Sequence, residues 1–254
     1  MNMNQTPAPE FSQPQQPVIK VGFKLVKPYV TYSLIAVTVF AYLLQLAGQY
    51  LIQADILTAL GIKYNEFIRE GQVWRLITPV FLHGSIMHIG FNMYALFMFG
   101  RDMEARFGHT RFTLLYFLSA FAGNVFSFLL SANSSLGAST AVFGLLAAEG
   151  MFVFQNRKLL GPRSNRVLGN VIFIAGINLF LGFTSSGVDN FGHLGGLLGG
   201  LLFSWFGGPH WKIEGFYPAQ TLVDEREGHG SLAGTLAVLA FFIPLAILGW
   251  IWPK

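Results

Sequence analysis

Seven long apolar stretches divide this chain, and six of them contain no charged residue. They are Tyr29–Gly48, Gly84–Gly100, Phe112–Ala132, Gly137–Phe154, Val167–Phe183, Asn190–Gly207 and Leu232–Trp252. A bilayer core ~30 Å thick takes about 20 helical residues, with a tolerated range of roughly 17 to 25, so each stretch predicts a membrane-spanning helix. The fold class expected is an all-α polytopic membrane protein. The segment Gln49–His83 is longer and mixed, with Lys63, Glu66, Arg69, Glu70 and Arg75 among apolar residues. It reads as a re-entrant or interfacial helical segment rather than a span. Residues 209–231, with Asp224, Glu225 and Glu227, read as a linker to the last stretch, 232–254.

Composition agrees with the pattern. Of 254 residues, 53% are hydrophobic and 11% charged, against about 25% charged in an ordinary soluble domain. The 26 phenylalanines suit lipid-facing surfaces and the 29 glycines close helix contacts. Cysteine is absent, which excludes a disulfide framework, a thiol nucleophile and a thiolate metal site. Met1–Pro17 is rich in Pro, Gln and Asn, lacks the basic start and apolar core of a signal peptide, and reads as an uncleaved, disordered tail (residues 1–20).

Lysine and arginine set the orientation. With the N-terminus in the cytoplasm, the inner segments hold twelve of the sixteen Lys and Arg, among them Arg157, Lys158, Arg163 and Arg166 in one loop. The outside keeps Lys63, Arg69, Arg75 and Lys254. The positive-inside rule favours this arrangement, which makes the tail and the 209–231 linker cytoplasmic. The absence of a targeting segment points to a bacterial plasma membrane.

In that orientation stretches two, four and six all run from outside inward. His88 and Asn92 fall in the first turns of stretch two, Ser139 in the first turn of four, and His193 in the first turn of six. At ~1.5 Å per residue these four lie at a similar shallow depth below the outer surface. Polar residues at bilayer depth are costly and usually face the protein interior. Stretch six carries Gly192, Gly196 and Gly200 at spacing four, with Gly195 and Gly199 on an adjoining stripe, and stretch four carries Gly144 and Ala148. Such small-residue faces serve general membrane packing, and they also let two backbones approach closely enough to bring Ser139 within reach of His193.

A serine hydroxyl is a poor nucleophile until a base takes its proton, which a neutral imidazole can do near pH 7. Attack on an amide carbonyl builds an oxyanion, which needs fixed donors in a water-poor site. His88 and Asn92, four apart on one helical face, can point at the same place, and the Ser139 N–H lies in the first turn of its helix. Taken singly, Ser139 reads as a back-bonded serine at a helix start and His193 as a packed core residue. Their matched depth favours a joint site.

These residues resemble the rhomboid intramembrane serine proteases over roughly Gln72–Gly208. His83-Gly-Ser-Ile-Met-His88-Ile-Gly-Phe-Asn92-Met93 is similar to the family's second-helix motif. Gly137-Ala138-Ser139 followed by Phe143-Gly144 resembles its nucleophile motif, Gly192-His193-Leu194-Gly195-Gly196 its histidine motif, and Trp74-Arg75 the signature of its first external loop. The resemblance implies a six-helix rhomboid-like core over 21–208 with a seventh, C-terminal helix (6+1). It implies a Ser139/His193 dyad with no third carboxylate, an oxyanion hole served by His88 and Asn92, and Phe143 packed against the imidazole. His83 and Gly137 take supporting places. It also implies cleavage of single-span or polytopic membrane-protein substrates near the outer face of the bilayer, lateral access beside span five, no nucleic acid, and no metal or organic cofactor. The alternative on the same fold is a non-proteolytic scaffold or quality-control factor. A transporter would show an internal repeat and ionisable residues near the midplane, and apart from Glu149 the sequence has neither.

One departure from the family pattern is Thr140, where glycine is frequent after the serine. Its β-branched side chain is expected to narrow the space around the nucleophile. The soluble-hydrolase elbow Gly-x-Ser-x-Gly is not matched either, since Ala141 occupies its last position. Asp189 or Asn190 reads as a helix N-cap rather than an orienter of His193. Glu149, about 15 Å along the helix from Ser139, is expected to pair with a loop arginine, and Asn124 and Asn178 to hydrogen-bond between helices. His109, His210 and His229 share no metal-binding spacing.

Overall fold

The computed structural model of the protein describes residues 25–185, 187–216 and 219–252. The expected tail 1–20, and with it Lys20, lies outside the described residues. Helix α1 (Tyr29–Ile52) is followed by two short helices, α2 (Ile56–Gly61) and α3 (Asn65–Arg69), and by 3-10 turns at Val73–Leu76 and Thr78–Phe81. Helix α4 (Ile86–Ala95) runs through a π-helical turn, Leu96–Gly100, into α5 (Arg101–Leu130). Then come α6 (Ser139–Gln155), the single turn α7 (Arg157–Leu160), α8 (Arg163–Thr184), α9 (Asn190–Gly207), a hairpin of β1 (Trp211–Glu214) and β2 (Thr221–Asp224), and α10 (Gly230–Ile251). The stretch between α1 and α4 is thus short helices and turns, as its mixed composition implied.

Among the described residues, four helical segments are long and apolar enough to cross a membrane by length and composition: α1, Ile86–Leu130, α8 and α10. The second has 45 residues and would be ~68 Å long if straight. It doubles back instead. Asn124 Nδ2 donates to the Leu76 carbonyl at 3.1 Å, which puts the far limb beside the loop that precedes the near one. The reversal falls at Gly108, whose φ of 78° and ψ of 165° break the helix and which glycine adopts without a Cβ clash. Stretches Gly84–Gly100 and Phe112–Ala132 fall on the two limbs.

Where α1 meets the near limb, Glu104 is fully buried. Its carboxylate accepts the backbone N–H groups of Val30 (2.8 Å) and Thr31 (2.7 Å) and the Thr31 hydroxyl (2.7 Å), and lies 2.6 Å from His109 Nδ1. A helix start exposes N–H groups with no internal partner and a partial positive charge, so a distant acid serves here as the cap of α1.

Helix α6 is the centre of the bundle, buried along most of its length against α5 and α9. The two glycine stripes of α9 divide the work. Gly196 and Gly200 lie against the backbones of Thr140 and Gly144 on α6, while Gly195 and Gly199 lie against Ala122 and Gly123 on α5. Any Cβ at these positions would overlap a neighbour, so the small-residue pattern is a requirement of both crossings. By contrast α8 exposes Ile172, Phe173, Phe180 and Phe183. A continuous exposed apolar face of this kind suits lipid rather than water, and the chain is an integral membrane protein.

The 209–231 segment is more than a linker, and it adds a small sheet to an otherwise helical fold. Its antiparallel hairpin pairs Trp211 with Asp224 and Glu214 with Thr221. Asp224 is buried, bonds Arg111 at 2.5 Å, and accepts the N–H groups of His210 (2.9 Å) and Arg226 (3.0 Å). Arg111 also donates to the Arg226 carbonyl, and Arg226 reaches Gln155 Oε1 (3.1 Å) and the Gly208 carbonyl (3.0 Å). Asp224 and Arg226, in a segment that reads as a linker, therefore tie the start of the far limb of α5 to the ends of α6 and α9. Helix α10 packs at Gly207 through Gly230 and Gly234, and at its far end Trp250 Nε1 donates to the Arg69 carbonyl at 2.9 Å.

Two smaller expectations need correction. Glu149 forms no ion pair within 4 Å among the described residues; Arg106 pairs with Asp102 (3.7 Å) on its own helix. Asn124 does reach out of its helix, but Asn178 Nδ2 bonds back to the Ile174 carbonyl one turn earlier, at 2.8 Å.

Candidate functional site

The loop between α5 and α6 arrives at Ser139 already tied down. Lys63 and Ser135 exchange backbone hydrogen bonds (3.0 and 3.1 Å), and the Gly137 N–H donates to the Pro79 carbonyl at 2.9 Å. Gly137 has φ of 126°, and a Cβ there would stand 2.6 Å from His88 Nε2. Glycine is thus required twice, by conformation and by the approach of the imidazole. The Ala138 N–H donates to His83 Nε2 at 3.4 Å, and Ser139 opens α6.

On α9, Asp189 caps the helix through Oδ1, which accepts the Gly192 N–H at 2.9 Å. That is the N-cap place expected of it. His193 follows in the first turn, and its Nε2 lies 2.9 Å from Ser139 Oγ. Phe143, one turn into α6, stacks on the imidazole with centroids 4.2 Å apart and planes 13° from parallel. The other ring nitrogen, Nδ1, has no hydrogen-bond partner among the described residues, so no carboxylate orients it.

His88 and Asn92 face the same space from α4, with Asn92 Nδ2 donating to the His88 carbonyl at 3.1 Å. A cavity of about 960 Å³ is lined by Ser139, His193, Phe143, His88 and Asn92, and by Asn178 across from them on α8. Five of the seven residues singled out in the sequence therefore share one cavity. The other two, His83 and Gly137, stand behind it. The His83 ring meets that of His88 edge-on, with centroids 4.9 Å apart. Burial, with His88 adding to it, pushes the His83 imidazole down to about 3, so it is neutral and can accept from Ala138.

Thr140 does not narrow this cavity. It is buried on the opposite side of α6, where its side chain fills the crossing against Gly123 and Gly192. The bulk expected beside the nucleophile is spent on holding three helices in register.

Two residues that the sequence reading passed over support the site. Gln45, nearly buried in α1, accepts the His83 N–H (3.1 Å) and donates to the His83 carbonyl (3.3 Å), Asp55 Oδ2 (3.0 Å) and Thr58 Oγ1 (2.7 Å). The signal was present: Gln45 is the one side-chain amide in Tyr29–Gly48. Lys63 is fully buried, and its Nζ donates to the carbonyls of Ser131 (3.1 Å) and Asn133 (2.8 Å). Burial pushes this ammonium down to about 8. As one of several charges in a mixed segment it carried no signal.

Helices closed on glycine, a serine–imidazole pair at the mouth of α6 and α9, and a lipid-facing exterior define an integral membrane protein with a buried polar site. Residues 70–210, more than half of the chain, match the family described as Rhomboid domain, and the chain belongs to the rhomboid family. It is 40% identical to Rhomboid protease GluP of Bacillus subtilis (strain 168) over 175 residues, 68% of this chain and 34% of that protein. It is also 40% identical to Rhomboid-like protease 1 of Toxoplasma gondii over 151 residues, 58% of this chain and 51% of the relative. RHOMBOID-like protein 4 of Arabidopsis thaliana is 39% identical over 146 residues, 57% and 36% of the two chains. The chain thus spans between a third and about half the length of these relatives.

Proposed function

We propose that this protein is an intramembrane serine protease that cleaves transmembrane segments of other membrane proteins near the outer face of the bilayer. The observation that carries the reading is the 2.9 Å separation of Ser139 Oγ and His193 Nε2, with the ring held on Phe143 and the pair opening into a cavity shared with His88 and Asn92. His193 Nε2 takes the Ser139 proton as Oγ attacks the scissile carbonyl, then gives it to the leaving amine. A water, activated by the same nitrogen, releases the acyl group and restores the serine. His88, Asn92 Nδ2 and the Ser139 N–H are the donors for the oxyanion.

The six-helix core of this reading is α1, the two limbs of Ile86–Leu130, α6, α8 and α9, with α10 as the seventh helix. The N-terminus lies in the cytoplasm and the site opens outward in a bacterial plasma membrane. Substrates are single-span or polytopic membrane proteins. The test is cleavage of a single-span substrate in liposomes by wild type, Ser139→Ala and His193→Ala, with the cut mapped by mass spectrometry. Cleavage near the outer boundary by wild type alone is expected. Equal cleavage by either variant would overturn the dyad, and inertness of the wild type toward both substrate and a fluorophosphonate would favour a scaffold.

A further inference from the structure

We infer that Lys63 is a positioning residue for Ser139, fixing the loop that delivers it by holding the Ser131 and Asn133 carbonyls. The inference rests on the proposed role of Ser139 as nucleophile. An ammonium with no solvent exposure is expensive to bury, and is retained where its hydrogen bonds are needed. Its charged neighbours are Glu66 and Arg69 on α3 and Asp189 at the start of α9.

The two carbonyls have different meanings. Ser131 closes α5, and its carbonyl already accepts from Asn65 Nδ2 at 2.9 Å, with a further contact from the same nitrogen to Phe128 O at 3.4 Å. Asn65 therefore holds the helix end together with Lys63, by the shorter of the two bonds to Ser131. Asn133 lies beyond the helix, and its carbonyl takes the shorter of the two Lys63 bonds, 2.8 Å against 3.1 Å. That second bond acts on the loop rather than on the fold of α5. Two residues later Ser135 pairs with the Lys63 backbone, then Gly137 with Pro79, then Ala138 with His83. Ser134, Ser135 and Leu136 line the same cavity as Ser139. Lys63 is thus the first tie in a series that ends at the nucleophile. Displacements of about 1 Å at a reacting group cost on the order of 100-fold in rate.

The experiment compares Lys63→Met, which keeps an unbranched apolar stem and removes the ammonium donors, with Asn65→Ala, which removes one of the two donors at the end of α5 and leaves the loop tie intact. Per folded enzyme, Lys63→Met is expected to lower kcat on a transmembrane substrate by about 10-fold or more with KM within about twofold. Fluorophosphonate labelling of Ser139 should slow by the same factor. Asn65→Ala is expected to lower thermal stability while labelling at close to the wild-type rate. Equal labelling of wild type and Lys63→Met, or equal slowing by Asn65→Ala, overturns the inference alone. A wild type that does not label at Ser139 overturns the protease reading and this inference with it. If Lys63→Met does not fold, amide exchange of the wild type carries the test. Protection of Ser135, Gly137 and Ala138 matching the end of α5 is expected, and free-loop exchange overturns the inference.

Discussion

Substituting Gly196 by alanine places a methyl group at the crossing of α6 and α9. A Cβ there falls more than about 1 Å inside van der Waals contact with the Thr140 carbonyl oxygen, which is backbone and cannot rotate away. Both α6 and α9 are packed on α5, so the strain is relieved by opening the α6–α9 crossing itself. Ser139 directly precedes Thr140, and His193 lies one turn before Gly196, on the same two helices. An opening of about 1 Å takes their 2.9 Å separation to roughly 4 Å, beyond hydrogen-bond range. Overpacking of this sort costs on the order of 1–3 kcal/mol of stability, and loss of the serine–imidazole contact about 100-fold in turnover. Initial cleavage rates in liposomes, normalised to folded protein, test this directly. Gly199→Ala is the control: its Cβ meets Ala122 on α5, so it should lose stability comparably and turnover far less. Wild-type turnover in Gly196→Ala, or an equal loss in Gly199→Ala, would refute the reasoning.

Other outcomes follow from the same contacts. Glu104→Ala leaves the Val30 and Thr31 N–H groups buried without an acceptor, and should lower stability by about 3 kcal/mol, measurable by denaturant unfolding in micelles. Gly137→Ala should abolish most activity while the helices stay intact by circular dichroism, since the Cβ strains φ and displaces His88. Lys63 has a folded pKa of about 8, below its ordinary value of 10.5. Between these values the unfolded chain holds a proton that the folded one has released, so stability should rise with pH across that window. Unfolding midpoints from pH 7.5 to 10.5 check the sign, and Lys63→Met should flatten the rise.

Much of the site was legible because its information is local and periodic. Ser139, His193, His88 and Asn92 each sit near the start of an apolar stretch, and their position along it follows from counting residues. The glycine spacing on α9 likewise announced a close crossing, although not that each stripe has its own partner helix. What escaped is supplied from far away in sequence. Glu104 caps a helix 73 residues earlier, Gln45 holds His83 38 residues later, and Lys63 holds Asn133 70 residues later. In a sequence each reads as one polar side chain, with nothing to name its partner. Thr140 was misjudged for a related reason. At the first turn of a helix, whether a residue faces the cavity or the crossing depends on the packing angle, which no local pattern states. The 209–231 hairpin was missed because Asp224 takes its place from Arg111, 113 residues away.

The central claim is that Ser139 is a nucleophile activated by His193, and the most direct measurement is the site of fluorophosphonate modification. Wild type, Ser139→Ala and His193→Ala would be treated in liposomes and the adduct located by mass spectrometry. A single adduct on Ser139 in the wild type, absent from Ser139→Ala and strongly reduced in His193→Ala, is the expected result. An adduct on another residue, or equal modification of Ser139 without His193, would contradict the account.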